Sequence, residues 1–306
     1  MLECQGLTKK FASTIAVNAL DLSLDAGEPI ALVGPNGAGK TTLLSLACGF
    51  IRPSAGSVRL FGHKPGSAAL HGMIAALPQD ADFDPGISIG KQLLHYARLQ
   101  GISRSQANSA VAESLAVVQM SDSRHATADE LSHGMRKRVS IAQTLLGKPK
   151  LIMLDEPTAG LDPPNAKIIR DVIRQQADDI TCIVSSHNLD ELERLCTRVV
   201  FLEKGVLQAN KAIAADEDDS SYLSIRLIDV DKEAFVAACA ELQGVEEVRE
   251  QQGAFQIRFD SRQHPALDIR LLEMISTRGW QYRNFNRGRT LEDKLFGSDS
   301  APPGSS

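Results

Sequence analysis

Apolar and polar positions in the first third of the chain predict strands around one early helix. Apolar residues alternate through the second half of residues 2–26, which predicts two strands joined by a turn. Residues 29–33 form an apolar run of strand length, and residues 41–48 have a helical composition that ends at Gly49. Further short strands are predicted at 57–61 and 74–77. Strands mixed with helices predict an α/β domain.

The middle of the chain changes to a helical pattern. Apolar residues at 89–120 recur at helical spacing, and Ser103 followed by Gln106 predicts a capping box. Ser132 is a good N-cap for a helix that ends near residue 147. Helices without strands here predict a helical insert at about 85–147, inside a domain that spans 1–215.

Strands return after the insert. Residues 151–157 form a buried strand that contains Asp155 and Glu156 near its end. A helix at 164–177, a strand at 180–184, a helix at 188–195 and a hairpin at 199–208 follow.

The last third of the chain has its own pattern. An acidic stretch at 216–221 predicts a solvated linker. Beyond it, the order strand, helix, strand, strand, helix, strand predicts a small ferredoxin-like α+β domain at 222–297. Residues 298–306, with two prolines and a glycine, predict a disordered tail.

Composition narrows the class of protein. The 306 residues are 43% hydrophobic and 23% charged, as in ordinary globular proteins, and the net charge of -5 argues against a nucleic-acid partner. The five cysteines have no metal spacing and predict reduced thiols in a cytosolic chain. We find no signal pattern and no apolar run near the roughly 18 residues that cross a bilayer. Any membrane-spanning part is therefore expected on another chain.

One glycine-rich stretch between the strand at 29–33 and the helix at 41–48 carries the clearest chemistry. It fits the phosphate-loop pattern G-x-x-x-x-G-K-[ST] with Gly34, Pro35, Asn36, Gly37, Ala38, Gly39, Lys40 and Thr41. Strand, loop and helix in this order place phosphates at a helix N-terminus. Lys40 adds a positive charge, and the Thr41 hydroxyl is placed to ligate Mg²⁺.

Other candidates are ambiguous when each is taken alone. Gln79 follows a strand, where ligand contacts or an exposed amide are both expected. Ser132 and Gly134 suit an anion site or simple helix capping. Asp155 and Glu156 at a sheet rim suggest a cation or catalysis. His187 alone favours a structural role, and Phe11 favours a core position over stacking on an adenine.

Taken in order, these motifs resemble the ATP-binding-cassette (ABC) ATPases over residues 2–208. The resemblance implies a P-loop nucleotide-binding fold, a mixed sheet with N-terminal antiparallel strands and a helical insert. The matching segments are the Walker A loop (34–41), the Q-loop (Gln79), the signature motif (131–135), the Walker B strand with its glutamate (151–156), the D-loop (159–162) and the switch histidine (His187). A terminal segment at 291–296 resembles that of exporter ATPases with a C-terminal appendix.

The resemblance also implies ATP and Mg²⁺ as cofactors and a role for each residue. Lys40, Thr42 and the loop amides would hold phosphates, and Phe11 would stack on the adenine. Thr41, Asp155 and Gln79 would bind or reach the metal. Glu156 would act as general base. His187 would contact the γ-phosphate and hold the Glu156 carboxylate in place.

In this family the signature residues serve the opposite subunit, so Ser132 and Gly134 imply a homodimer with two ATP molecules. The resemblance further implies a separate permease chain at the inner face of the membrane and an exporter. In the signature, His133 replaces a glycine and Met135 a glutamine. A soluble ATPase acting on ribosomes or DNA and a non-hydrolysing switch remain as alternatives.

Overall fold

The computed structural model describes residues 1–213, 221–251, 253–289, 291 and 295. The chain divides into two compact units, Met1–Ile213 and Ala214–Ser306. The predicted linker at 216–221, apart from Ser221, lies outside the described residues. The predicted tail at 298–306 and most of the exporter-like segment at 291–296 also lie outside them.

Two sheets build the first unit. The smaller sheet is antiparallel and contains β1 (Leu2–Phe11), β2 (Thr14–Leu24) and β4 (Ala55–Leu60) in the order β2-β1-β4. The larger sheet contains β3 (Ile30–Val33), β5 (Ile74–Leu77), β6 (Leu151–Asp155), β7 (Thr181–Ser185), β8 (Arg198–Glu203) and β9 (Val206–Ala212). Its order is β5-β6-β7-β3-β8-β9, and only β9 is antiparallel to its neighbour.

The parallel arrangement explains the apolar runs and sets the position of the candidate residues. All residues of β3, β6 and β7 are buried, as expected for strands covered on both faces. Parallel neighbours end at the same edge of a sheet. The segments that follow β5, β6, β7 and β3 therefore lie side by side at that edge.

Six α-helices complete the first unit. They are α1 (Lys40–Cys48), α2 (Ile89–Leu99), α3 (Arg104–Val117), α4 (His133–Leu145), α5 (Pro163–Gln176) and α6 (Leu189–Leu195). The segment between β5 and β6 is helical, as the sequence predicts. Leucines from β1, β2, β3 and α1 share one core, which includes Leu20 and Leu46.

The predicted capping box at Ser103 is only half formed. The Ser103 hydroxyl oxygen accepts a hydrogen bond from the Gln106 backbone N–H at 3.4 Å, as an N-cap should. The Gln106 side chain, however, accepts from that same hydroxyl at 2.7 Å instead of from the Ser103 backbone N–H. The predicted reciprocal bond is therefore wrong, because the exposed hydroxyl donates to the nearer amide oxygen.

The second unit contains four strands and two helices in its described residues. They are β10 (Tyr222–Ile228), α7 (Lys232–Ala240), β11 (Val245–Gln251), β12 (Ala254–Phe259), α8 (Leu267–Thr277) and β13 (Gln281–Arg287). The strands form an antiparallel sheet in the order β11-β12-β10-β13. Phe235 of α7 lies 4.6 Å from the Phe255 ring, measured between ring centroids, within the core of this unit.

No helix in the part of the chain that the structure describes is both long and apolar enough to cross a membrane.

Candidate functional site

The glycine loop connects β3 to α1 and is held in a shape that only glycine permits at two positions. Gly39 has φ 103° and serves as the N-cap of α1, and an added Cβ would collide with the carbonyl oxygen of Ala16. At Gly34 an added Cβ would collide with the carbonyl oxygen of Leu202. Both glycines therefore allow the loop to lie against neighbouring backbone.

Further backbone bonds fasten the loop to the turn between β8 and β9. The Gly205 N–H donates to the Ala38 carbonyl at 3.0 Å, and the Asn18 N–H donates to the Gly205 carbonyl at 2.8 Å. Pro35, Asn36 and Gly37 are exposed at the tip of the loop. A fixed loop with an exposed tip is pre-organised for an anion.

Lys40, the first residue of α1, lies folded over this loop. Its ammonium donates to the carbonyl of Gly34 at 2.7 Å and lies 3.4 Å from that of Pro35. Thr41 and Thr42 follow in the first turn of α1, where backbone N–H groups have no partner within the helix. Positive charge and free donors thus converge at one helix N-terminus, which is an arrangement that binds phosphate.

Asp155 ends β6 and is almost completely buried, at 4% exposure. The Ser185 hydroxyl at the end of β7 donates to its Oδ1 at 2.5 Å. Ser185 Oγ also accepts from the Glu156 backbone N–H at 2.9 Å. One serine therefore orients both acidic residues, and the sequence analysis did not identify it. Its place directly after the strand predicted at 180–184 was the available signal.

Glu156 and His187 meet at the same edge of the sheet. Glu156 has φ 49°, a left-handed conformation that costs a non-glycine residue free energy. Its Oε2 lies 3.0 Å from His187 Nδ1, and the His187 side chain is 68% exposed. A buried acid that faces an exposed imidazole can polarise water at the rim of the site.

Gln79 follows β5 and is exposed beside the same edge. The backbone carbonyl oxygen of Gln79 accepts a hydrogen bond from the ammonium of Lys137, a residue of α4, at 3.4 Å. Burial lowers the pKa of Lys137 below its usual range, while the carboxylates of Asp155, Asp80 and Glu156 act in the opposite direction. Lys137 was not predicted from the sequence, since a lysine between Arg136 and Arg138 has no pattern that distinguishes it from its neighbours.

Ser132 and Gly134 lie at the start of α4, which packs against the start of α5. The Ser132 hydroxyl oxygen accepts from the Met135 N–H at 3.2 Å. A Cβ on Gly134 would lie 2.6 Å from Asn165 Nδ2, and Asn165 is itself held by Asp162 at 2.7 Å. Gly134 therefore permits a close approach between the signature segment and the first turn of α5.

Phe11 is 47% exposed at the end of β1. The predicted core position is wrong, because β1 ends in a hairpin turn beyond the core. The Lys9 ammonium lies 4.9 Å from the Phe11 ring centroid instead. An exposed aromatic face is available for stacking.

The oxygen donors at this edge suit Mg²⁺. Asp155 contributes a carboxylate and Thr41 a hydroxyl, whereas no cluster of three or more His, Cys, Asp or Glu side chains occurs in the described ranges. Mg²⁺ is commonly held by one or two carboxylates together with substrate phosphates, so a full protein cage is not required. The residues present fit this ion.

Comparisons with known proteins agree with this geometry. A family model described as ABC transporter matches residues 17–159. The daunorubicin/doxorubicin resistance ATP-binding protein DrrA of Streptomyces peucetius is 32% identical over 303 residues, covering 96% of this chain and 91% of DrrA. Nod factor export ATP-binding protein I of Burkholderia orbicola is 34% identical over 207 residues, covering 67% of this chain and 68% of that protein.

Solved structures show the same fold. An ATP-binding subunit of an ABC transporter aligns with a TM-score of 0.64 and 24% identity, covering 69% of this chain and 90% of that one. A dimeric ATP-binding cassette bound to ADP and Pi aligns with a TM-score of 0.64 and 21% identity, covering 71% of this chain and 100% of that one.

The phosphate loop, the acidic strand end and the sheet order define a P-loop ATPase of the cassette type. The chain belongs to the ABC transporter family of ATP-binding proteins. It is an ATP-binding and ATP-hydrolysing subunit of a membrane transporter, and the relatives favour this assignment over a soluble ATPase on ribosomes or DNA.

Proposed function

We propose that this chain powers an exporter as a homodimer that closes on two Mg-ATP molecules. The observation that carries the proposal is the grouping of Asp155, Glu156 and His187 beside the phosphate loop at one sheet edge. Similarity to DrrA extends over 96% of the chain, which includes most of the second unit. Similarity to Nod factor export ATP-binding protein I supports the export direction.

Each residue at the edge has a proposed task. Loop amides from Gly34 to Thr41, together with Lys40 and Thr42, bind the β- and γ-phosphates. The exposed ring of Phe11 stacks on the adenine. Positioning and electrostatic stabilisation of this kind supply most of the catalysis in phosphoryl transfer.

Thr41 and Asp155 would hold Mg²⁺, with Gln79 reaching toward it. When bound, this ion neutralises charge on the phosphate oxygens. Ser185 keeps the Asp155 carboxylate oriented through its hydroxyl.

Glu156 accepts a proton from the attacking water as general base. Its neighbour His187, 3.0 Å away, braces the carboxylate and reaches the γ-phosphate from the exposed side. Replacing Glu156 by glutamine removes the general base and keeps the shape of the side chain, so it separates hydrolysis from nucleotide binding. Glu156→Gln is expected to bind ATP and to lose hydrolysis.

Ser132 and Gly134 complete the site on a second copy. In one copy, the N-terminus of α4 packs against the start of α5, with Gly134 beside Asn165. A head-to-tail pair brings this N-terminus to the partner's nucleotide. ATP then favours the closed pair because its γ-phosphate is bound from both sides. Changing the ratio of closed to open pairs from 1:99 to 99:1 needs about 5.5 kcal/mol of differential binding. Several charge-assisted hydrogen bonds to the γ-phosphate supply a free energy of this size.

The permease is a separate membrane-spanning chain, and the ATPase is proposed to dock on it at the cytoplasmic face. We propose no nucleic-acid partner, given the net charge of -5. Co-expression with the candidate permease followed by purification from membranes tests this assignment. Stimulation of ATP hydrolysis by an exported compound in the purified complex is the expected result, and failure of any complex to form contradicts it.

A further inference from the structure

A third buried carboxylate, besides those of Asp155 and Glu156, lies close to the site but outside the proposed reacting set. Glu191 lies in the first turn of α6, and its side chain is 9% exposed. One oxygen accepts from the Thr158 hydroxyl at 2.8 Å, and the other accepts from the Arg170 guanidinium at 2.9 Å. Burying a charge is costly unless it is paired and hydrogen-bonded, and here both oxygens have partners.

These contacts join the two segments that carry the acid and the imidazole. Thr158 lies two residues after Glu156, in the loop between β6 and α5. Glu191 lies four residues after His187, and its N–H donates to Asn188 Oδ1 at 3.2 Å. Glu191 therefore connects the loop after Glu156 to the helix that begins just after His187.

The direct contact between Glu156 and His187 is poorly suited to hold these segments by itself. The His187 side chain is 68% exposed, and exposed ionic contacts are weak because water competes for both partners. Glu191 and Arg170 are 9% and 26% exposed, so their contact is better protected from water. The better protected contact, between Glu191 and Arg170, thus lies about one helical turn along the chain from His187.

We infer that Glu191 is a positioning residue that sets His187 against Glu156 through Thr158 and Arg170. Its two carboxylate oxygens are bonded to Thr158 and Arg170, which places it outside the proposed reacting set. The inference rests on the proposed roles of Glu156 and His187. Without these contacts the two segments stay attached at Ser185, but the residues beyond it gain freedom. The His187 imidazole then loses its fixed position against the Glu156 carboxylate, while the phosphate loop stays intact.

The sharpest test uses the Thr158 hydroxyl. Thr158→Val keeps the shape of the side chain and removes the donor, whereas Thr158→Ser keeps the donor. We expect Thr158→Val and Glu191→Gln to lower kcat for ATP by about 10- to 100-fold, since small misplacements at a reacting centre have effects of this size. The Kd for ATP in the monomer is expected to stay unchanged, and Thr158→Ser is expected to retain most of kcat.

Asp171→Asn is the matched control. Asp171 lies on the same helix as Arg170, but it contacts Lys167 and Arg174 at the surface, where its side chain is 40% exposed. We expect no change in kcat for this variant. Backbone amide hydrogen exchange in the nucleotide-free protein should accelerate in the loop after Glu156 and around His187 in Thr158→Val and in Glu191→Gln, but not in Asp171→Asn or Thr158→Ser.

Several results would overturn the inference. One is a Thr158→Val variant whose kcat and whose rate of amide exchange in the loop both equal those of the wild type. Another is a lower Tm with unchanged kcat per folded molecule, which is the signature of a purely stabilising contact. Equal losses in Thr158→Ser and Thr158→Val also contradict it. A wild-type chain that releases no phosphate refutes the proposed function instead, and the exchange comparison still decides the role of Glu191.

Discussion

Single hydroxyl groups decide much of the geometry at the sheet edge. Ser185 bonds the buried carboxylate of Asp155 and the backbone N–H of Glu156 with one oxygen. This pairing offsets the desolvation of Asp155 and the strained φ of Glu156. The site is thus held by a residue that makes no proposed contact with the nucleotide.

Ser185→Ala is expected to lower the free energy of unfolding by about 1–3 kcal/mol, because the buried Asp155 carboxylate loses a donor, whereas the Glu156 N–H keeps the Ser185 backbone carbonyl at 3.2 Å. Urea unfolding measures this loss. Ser109→Ala is the control, since the Ser109 hydroxyl makes an exposed bond to Glu113 at 2.8 Å and its removal should change stability by less than about 0.5 kcal/mol. Equal stability of both variants would contradict the role of Ser185.

The cysteines are also expected to behave as residues of the core. Burial raises the pKa of Cys4, Cys48, Cys182 and Cys239 to about 12, and it raises that of Cys196 further. The thiolate is the reactive form and is therefore scarce at pH 8. We expect slow labelling of the native chain by a thiol reagent and rapid labelling of all five cysteines after denaturation. Fast native labelling of Cys4, Cys182, Cys196 or Cys239 would contradict the burial of that thiol.

At the scale of elements, the start of α4 combines capping with proposed recognition. Ser132 caps α4 as Ser103 caps α3, in each case by accepting from an N–H three residues on. Only the α4 terminus lies beside the D-loop region, where His133 Nε2 lies 3.6 Å from the position of a Cβ on Gly160. Comparing the two caps separates helix stability from function.

Ser132→Ala and Ser103→Ala should each cost about 1 kcal/mol of stability through loss of an N-cap. ATP turnover is expected to fall in Ser132→Ala alone, while the monomer keeps its affinity for ATP. Steady-state phosphate release and nucleotide titration of the monomer measure the two quantities. Loss of monomer binding in Ser132→Ala would place Ser132 in the site of its own subunit and contradict the shared site.

Element order was predictable from sequence because apolar runs and helix caps are local signals. The strands that lead to Gly34 and Asp155 were predicted for this reason. Phe11 was misplaced because its exposure depends on where a hairpin ends. The contacts of Lys137 with Gln79, and of Glu191 with Thr158, cross from one element to another, and pairing between distant segments leaves no periodic pattern.

At the scale of the whole molecule, the chain contains two compact units, and the ATPase chemistry lies in Met1–Ile213. The phosphate loop and the signature segment are both present in this unit. We propose that they act on different nucleotides, one in each copy. A single copy then binds ATP but hydrolyses it only when a second copy closes on it.

The mass of Glu156→Gln in solution tests this proposal most directly. With Mg-ATP, light scattering after size exclusion should give twice the monomer mass of 33.0 kDa, and removing Mg²⁺ or introducing Ser132→Ala should return the monomer. The variant should release no phosphate. A mass that stays at 33.0 kDa in saturating Mg-ATP, or turnover at the wild-type rate, would contradict the shared site.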